Sequence, residues 1–327
     1  MKVGTIAVAT PLGMVRRLAV RTEDAIVDAT AARIAFLERS LYPSVADRVG
    51  SAQVPPDMVQ MLDAGEQGLD WIREGLEFVV AGGCRSTSGG MRTVYDPADV
   101  QLAAPIPRPP GIANFSAWAD HIAHAREKGI NLAIPTKEAG PQSYWKGNAL
   151  SVVAPGTPLV LPSYANKLDA ECEVVAVVGR PCKDVSVSEA EKSIVGYSIF
   201  NDVSLRETQV AEMKHGRGPA KGKDHDGGNV LGPWLVTADE VGDPMSLDLS
   251  LHVNGEQWSS SNTSGMVFSF AEMLSYLSRG QTITPGHLIS GGSYTGGSGF
   301  DLDRQVRTGD TVELRVARLG SQICPVA

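Results

Sequence analysis

The chain is poor in aromatic residues and in positive charge, and each shortage excludes a class of protein. Phe, Trp and Tyr make up 6% of the 327 residues, whereas there are 35 Gly and 20 Pro. This composition indicates many turns and short strands rather than a helical bundle. Because 29 Lys and Arg face 37 Asp and Glu, the formal charge is −8. We therefore expect a small-molecule partner, and neither nucleic acid nor an anionic membrane.

Cysteine and long apolar runs are scarce as well. Cys84, Cys172, Cys182 and Cys324 lack CxxC spacing, and a chain of this length does not need disulfides, so we expect reduced thiols. Nowhere does an uninterrupted apolar stretch approach the roughly 18 residues that cross a bilayer. The sequence therefore predicts a soluble, cytoplasmic protein.

A proline-rich run, Pro105 to Pro110, divides the chain into two parts. We predict a small N-terminal α/β domain over residues 1–105 and a larger second domain over 106–327. In the first domain, the apolar spacing predicts one helix over 22–41 with Thr22 as its cap and another helix after Pro55 and Pro56.

The second domain reads as a series of short strands. Segments 168–178 and 195–200 have high β propensity, and Asn254-Gly255 predicts a hairpin after 247–253. Two short helices are predicted at Ser188 to Ile194 and at Phe268 to Leu277, and they are too short to alternate with the strands as βαβ units require. The fold class predicted is α+β, mostly β.

An acidic trio extends the strand at 168–178. Alternate residues of a strand share a face, so Asp169, Glu171 and Glu173 point in one direction. Val175 and Val177 continue the same face. Carboxylates next to a core need compensation, and a divalent metal is the strongest compensator. A strand end that emerges into water is the alternative, and it requires no metal.

Asp202 ends the next apolar strand and adds a further acid. Three carboxylates with water suit a hard ion such as Mg²⁺ or Mn²⁺. Asn-Asp at a strand end is also ordinary turn chemistry.

His121 and His124 lie on one face of a short helix. A zinc site would need a further Cys or His ligand, and none lies nearby in the sequence. One of the two histidines could instead act as a general base. The third alternative is that both are solvated surface residues.

Four segments together resemble the fumarylacetoacetate hydrolase superfamily, in the family's order and at roughly its spacing across residues 111–318. The segments are Asp169-Ala-Glu171-Cys-Glu173, Gly196-Tyr-Ser-Ile-Phe-Asn-Asp202-Val-Ser-x-Arg206, Lys223-Asp-His-Asp226 ahead of Leu231-Gly-Pro-Trp-Leu, and Met266-x-Phe followed by Pro285-Gly and a glycine-rich turn.

The resemblance implies a mixed β-roll-like catalytic domain with a smaller N-terminal domain, assembled as a homodimer. It also implies a set of site residues, which are Glu171, Glu173 and Asp202 as ligands of Mg²⁺ or Mn²⁺, His121 and Lys223 as catalytic residues, and Arg206, Gln209 and Tyr144 as contacts of a keto acid or diketone substrate.

The reaction implied is hydrolysis of a carbon–carbon bond in a β-diketone or acylpyruvate-type substrate. In this scheme the metal stabilises an enolate, His121 activates water, and Lys223 hydrogen-bonds the developing oxyanion. The alternative is a 2-oxo acid decarboxylase, isomerase or dehydratase that uses the same metal-enolate chemistry. A binding protein that keeps the fold without catalysis is a third possibility, against which the three retained carboxylates argue.

The chain departs from the family pattern beside the histidine. Many members have a glutamate three residues after it, where this chain has His124. Asp120, Glu127 or a distant acid are the candidates for orienting His121. The common Thr-Gly-Thr-Pro turn is replaced by Ser290-Gly-Gly-Ser-Tyr-Thr-Gly-Gly297.

Overall fold

The structure, a computed structural model, describes residues 1–11, 13–130, 132–215 and 218–327. The chain divides into two compact units, Met1–Ile106 and Pro107–Ala327. The helices are α1 (Ala29–Leu37), α2 (Pro43–Gln53), α3 (Met58–Leu62), α4 (Glu66–Gly82), α5 (Ala119–Glu127), α6 (Val187–Ser193), α7 (Arg206–Met213), α8 (Ala238–Val241) and α9 (Phe270–Leu277). The strands are β1 (Lys2–Thr10), β2 (Gly13–Arg21), β3 (Ile26–Asp28), β4 (Val94–Tyr95), β5 (Gln101–Leu102), β6 (Ile112–Phe115), β7 (Tyr144–Gly147), β8 (Val152–Val153), β9 (Cys172–Val178), β10 (Ile194–Asp202), β11 (Asn229–Leu231), β12 (Leu235–Thr237), β13 (Asp248–Val253), β14 (Glu256–Asn262), β15 (Leu288–Ser290), β16 (Thr311–Val316) and β17 (Gly320–Pro325).

The N-terminal unit packs helices against an antiparallel sheet in the order β4-β3-β2-β1-β5. Helix α1 lies between the sheet and the other helices, in contact with β2, α2 and α4. Part of the core is formed by Val27, Ala32 and Val79, which are at most 2% exposed. Because α1 is covered on several sides, its surface must be apolar nearly all round.

The predicted start of the first helix is wrong. The side chain of Thr22 closes a turn by accepting a hydrogen bond from the Ala25 amide, 3.1 Å away. Residues 26–28 then add a buried strand to β2, and Asp28 caps α1. Three consecutive buried residues suit a strand and a helix equally, so spacing alone could not separate them.

In the C-terminal unit, one large mixed sheet runs in the order β12-β10-β9-β15-β6-β7, with β11 paired to β10 and β8 paired to β11. Most neighbours are antiparallel, whereas β15 with β6 and β8 with β11 are parallel. The central strand β9 is buried along its whole length. Its near-continuous apolar sequence fits a strand that is covered on both faces.

A second, antiparallel sheet in the order β14-β13-β16-β17 packs against β10 through β16 and β17. The predicted hairpin is confirmed: Asn254 and Gly255 both have positive φ, at 51° and 81°. The Gln322 amide joins the two sheets by donating to the carbonyl oxygens of Ile199, Val230 and Gly232.

The short helices α6 and α9 lie where the sequence predicts them, within two residues.

The fold class is the one predicted, α+β with a strand-rich larger unit. Among the helices of the described residues, none combines the length and apolar character needed to cross a bilayer.

A buried acid in the N-terminal unit carries a cost at neutral pH. Asp28 is fully buried, and its Oδ1 accepts a hydrogen bond from the Ala31 amide at 2.8 Å. Its Oδ2 has no hydrogen-bond donor among the described residues, and the Arg17 Nε lies 3.7 Å away. Burial, only partly offset by the Ala31 amide and Arg17, raises the pKa of Asp28 to about 6.

We expect Asp28→Asn to remove a pH-dependent loss of stability. A carboxyl whose pKa is higher in the folded than in the unfolded state binds more protons when folded, so stability falls as pH rises through that range. Between pH 4.5 and 8 the wild type should lose about 2 kcal/mol relative to the variant, since one pKa unit corresponds to about 1.4 kcal/mol. Urea denaturation of both proteins at the two pH values measures the difference, and an unchanged difference would contradict the assignment.

Candidate active site

Strand register brings the predicted acids together. On the antiparallel pair β9 and β10, Glu173 lies opposite Phe200, and the same register carried two residues further places Asp202 next to Glu171. Paired residues on antiparallel strands share a face, so the three carboxylates point to one side of the sheet. One oxygen from each of Glu171, Glu173 and Asp202 lies within 4.8 Å of the others. The structure thus brings together the three predicted metal ligands.

The same face of the sheet continues across the next strands. Ser290 on β15 donates a hydrogen bond to Glu173 Oε2 at 2.5 Å. Asn114 on β6 pairs with Ser290, and its Nδ2 donates to Glu173 Oε2 at 3.0 Å and to Asp202 Oδ2 at 2.9 Å. Trp145 on β7 is the partner of Asn114, and its ring lies 5.7 Å from Lys223 Nζ. These neutral side chains surround the acids with donors and one aromatic wall.

Two buried cations contact the acids directly. Lys223 Nζ lies 2.5 Å from Glu171 Oε2 and 2.7 Å from Asp202 Oδ2. Arg206, the first residue of α7, donates from Nη2 to Glu171 Oε1 at 2.6 Å and from Nε to Asp169 Oδ2 at 2.8 Å. Both oxygens of Glu171 are therefore held by positive charge.

The cluster is nevertheless short of positive charge. In the described part of the site, four buried carboxylates, those of Asp169, Glu171, Glu173 and Asp202, face the two cations. Burial would raise the pKa of Glu171, but Arg206 and Lys223 outweigh it and hold this pKa well below its usual range. Glu173 and Asp202 are less compensated.

For these two acids burial dominates. Burial and the charge of Asp202 raise the pKa of Glu173 well above its usual value, and burial raises the pKa of Asp202 to about 7 despite Lys223. Among the described residues, Asp202 Oδ1 has no hydrogen-bond donor. An all-oxygen set with an unpartnered buried oxygen and a deficit of two positive charges fits a hard divalent ion such as Mg²⁺ or Mn²⁺.

A histidine–aspartate pair faces the acids across a cavity. His121 on α5 lies with its Nδ1 2.9 Å from Asp301 Oδ2. Asp301 is buried, and the amide of Gly296 donates to the same oxygen at 3.0 Å. The orienting acid is thus a distant one, whereas Glu127 lies 3.7 Å from His124. His124 Nε2 lies 3.1 Å from the Asp301 carbonyl oxygen, so it contacts the same turn from another side.

Asp169 connects the cation Arg206 to the turn that carries Asp301. Besides Arg206, it accepts hydrogen bonds from the amides of Gly299 and Phe300, at 2.8 and 3.0 Å. A side chain at position 299 would not fit, because a Cβ there would lie 2.8 Å from Asp169 Oδ1 and 2.6 Å from the Arg304 carbonyl oxygen. Asp169 therefore contacts both Arg206, which binds Glu171, and the two residues that precede Asp301.

One cavity of about 100 Å³ is lined by the three carboxylates and by His121. Its lining includes all eight residues that the sequence analysis singles out as site residues, namely His121, Tyr144, Glu171, Glu173, Asp202, Arg206, Gln209 and Lys223. Tyr144 stacks on Phe115 with ring centroids 4.9 Å apart. Because neighbouring residues of a strand alternate in direction, Trp145 rather than Tyr144 shares the face of Asn114. Gln209 accepts a hydrogen bond from Arg206 at 3.0 Å.

Sequence reasoning did not single out Asn114, Trp145, Ser290 as a partner of Glu173, or Asp301. Trp145 is adjacent to Tyr144, and the alternation of β7 was the signal that could have separated them. Asp301 is 180 residues from His121, and in the sequence it is one acid in a polar turn. Only the packing of α5 on that turn identifies it.

A strand-rich domain in which three buried carboxylates face a histidine–aspartate pair is typical of enzymes that use a divalent metal. The model of the fumarylacetoacetate hydrolase C-terminal domain matches residues 112–327, so the chain belongs to this family.

Relatives agree with this assignment. The chain is 40% identical over 201 residues to 2,4-didehydro-3-deoxy-L-rhamnonate hydrolase of Sphingomonas sp.. The aligned residues cover 61% of this chain and 67% of the relative. The chain is 36% identical over 253 residues to a protein of Burkholderia multivorans named only as a hydrolase, covering 75% of this chain and 86% of the relative. The chain is therefore related to hydrolases.

Solved structures share the fold. Maleylpyruvate hydrolase from Sphingobium sp. SYK-6, in complex with manganese(II) and pyruvate, superposes with a TM-score of 0.69 over 100% of this chain and 99% of its own, at 22% identity. The 2-hydroxyhepta-2,4-diene-1,7-dioate isomerase from Mycobacterium marinum gives a TM-score of 0.65 at 24% identity, covering 100% of this chain and 98% of its own. The same fold thus occurs in hydrolases and isomerases.

We expect Mn²⁺ to bind at the three acids. Titration calorimetry should give one site per chain in the wild type, and Glu173→Gln or Asp202→Asn should weaken binding by about tenfold or more, since each removes a charged oxygen ligand. Glu256→Gln, which changes an exposed acid paired with Arg304, is the matched control. Equal affinity in all four proteins would place the ion elsewhere.

Proposed function

We propose that the chain is a divalent-metal-dependent hydrolase that cleaves a carbon–carbon bond in an acylpyruvate-type β-diketone. The observation that carries the proposal is the meeting, in one cavity, of the three carboxylates with His121 bonded to Asp301. The three carboxylates suit a metal ion that would bind a dicarbonyl, and the His121–Asp301 pair suits the activation of water.

Glu171, Glu173 and Asp202 would hold the ion. Bound Mg²⁺ or Mn²⁺ would supply Lewis-acid stabilisation of the negative charge that develops on the dicarbonyl oxygens. Asn114 and Ser290 keep Glu173 and Asp202 in place through the hydrogen bonds described above. Such outer contacts hold ligands in the geometry that an ion requires.

His121 would act as the general base. In the neutral tautomer that the proposal requires, the Nδ1–H group donates a hydrogen bond to Asp301 Oδ2, so that Nε2 carries no proton and can take one from water. The hydroxide equivalent adds to the acyl carbonyl carbon, the bond from that carbon to the methylene breaks, and the methylene carbon receives a proton. The products are a carboxylic acid and a 2-oxo acid.

Lys223 would stabilise the oxyanion formed on the attacked carbonyl. Burial alone would lower its pKa, but Asp202 and Glu171 raise the pKa, so the ammonium group stays charged. Its three N–H donors can serve both carboxylates and a substrate oxygen. Arg206 and Gln209, which line the same cavity, would contact the substrate, and Tyr144 and Trp145 would form its aromatic wall.

The relatives support this choice. The Sphingomonas relative is named for hydrolysis of a didehydro-deoxy sugar acid, and the maleylpyruvate hydrolase structure contains manganese and pyruvate. An assembly as a homodimer and a cytoplasmic location stay predictions from the sequence.

We expect Asp301→Asn to lower kcat by about 100-fold or more with little change in KM. The amide cannot stabilise a protonated imidazole as a carboxylate does, and it can favour the wrong tautomer of His121. Steady-state kinetics with an acylpyruvate and Mg²⁺ measure the effect. The control is Asp303→Asn, which changes an exposed acid in the same turn, and a loss of equal size there would show that the turn and not the dyad is responsible.

His121→Ala should separate hydrolysis from the alternative reactions of 2-oxo acids. Without the base, loss of the enol absorbance of an acylpyruvate should slow by about 100-fold or more. Decarboxylation of a 2-oxo acid needs no water nucleophile and should not depend on this residue. If the wild type decarboxylates such an acid and the variant retains that rate, while neither cleaves an acylpyruvate, the decarboxylase alternative is correct.

A further inference from the structure

Four apolar residues of α5 and of the segment that follows it line the cavity together with His121. Ile122 and Ala125 lie on α5 and are each 3% exposed, and Ile130 after the helix is 3% exposed as well. Leu132 is half-buried and lines the same cavity. Since Ala125 follows His121 by four residues, both belong to one face of the helix. The histidine and the apolar wall therefore face the cavity together.

The proposed reaction constrains how the substrate would lie in the cavity. The pyruvate end would bind at an ion held by the three carboxylates, and the carbonyl that is attacked must lie next to His121. The acyl substituent is attached to that carbonyl on the side away from the pyruvate end. The apolar residues that line the cavity with His121 and would receive it are Ile122, Ala125, Ile130 and Leu132.

The two cations of the described lining lie beside the buried acids. These cations are Arg206 and Lys223, and each contacts two carboxylates at 2.8 Å or less. Among the described residues, a second carboxylate at the far end of the acyl group would lie against alkyl side chains and would meet no cation. Burial of an unpaired carboxylate is strongly unfavourable, whereas burial of a methyl group is favourable.

We propose that this site selects acylpyruvates whose acyl group is short, apolar and uncharged, and that it rejects those with a carboxylate at the far end of the acyl chain. The inference rests on the proposed function and deepens it by naming the substrate class. The wall formed by Ile122, Ala125, Ile130 and Leu132, named here the acyl wall, is the specificity determinant.

Two substrates of equal chain length test the proposal. Butanoylpyruvate ends in a methyl group where succinylpyruvate ends in a carboxylate. With Mg²⁺ and the wild type, kcat/KM should be higher for butanoylpyruvate by about 100-fold, since the carboxylate has no partner at the acyl wall. A value for succinylpyruvate that equals or exceeds that for butanoylpyruvate would overturn the inference and leave the proposed function standing.

Leu132→Arg tests the acyl wall itself. Because position 132 is half-buried, an arginine can keep contact with water there and pair with a distal carboxylate. The preference for butanoylpyruvate should shrink by about tenfold or more in this variant. Leu132→Gln, polar but uncharged, is the control and should not favour succinylpyruvate, and an equal shift in both variants would overturn the role of charge.

A failure of the proposed function would look different. In that case the wild type would cleave neither compound with Mg²⁺ or Mn²⁺. Calorimetric binding of the same two compounds to the Mn²⁺-loaded protein then decides the inference by itself. Tighter binding of butanoylpyruvate would support the acyl wall, and equal or weaker binding would overturn it.

Discussion

The burial of four carboxylates beside only two cations is the constraint on which the site depends. Each buried anion is expensive, so the domain surrounds the acids with donors: Arg206 and Lys223 on Glu171, and Asn114 and Ser290 on Glu173. These donors come from a helix, a turn and two further strands. The compensation is incomplete, and the raised pKa values of Glu173 and Asp202 record the deficit that a divalent ion would remove.

The second half of the site depends on one helix that packs on a glycine-rich turn. Helix α5 reaches this turn through His121 and His124, both of which contact Asp301. Asp169 holds the same turn by its amides and holds Arg206 by its Nε. A displacement of the turn would therefore shift both the His121–Asp301 pair and Arg206, which binds Glu171. Asp169 is buried between these two groups although it takes no part in the proposed reaction.

Sequence patterns predicted the strands and the acids better than they predicted the contacts. Period-two alternation indicated that Glu171 and Glu173 share a face, and Asn254-Gly255 indicated the hairpin, because both depend on near neighbours in the chain. The resemblance to the family supplied the remaining site residues. The start of α1 was misplaced because buried strand and helix have the same apolar content over three residues.

The sequence by itself determined the strand-rich fold class, the common face of Glu171 and Glu173, and the family. Tertiary structure alone decided that Asp301 is the partner of His121, that Asn114 and Ser290 contact the acids, and that Trp145 shares the face of the sheet on which the acids lie. The physical reason is distance along the chain. Alternation and turn chemistry act over a few residues, whereas a contact across 180 residues exists only when strand register and helix packing place both side chains at one cavity.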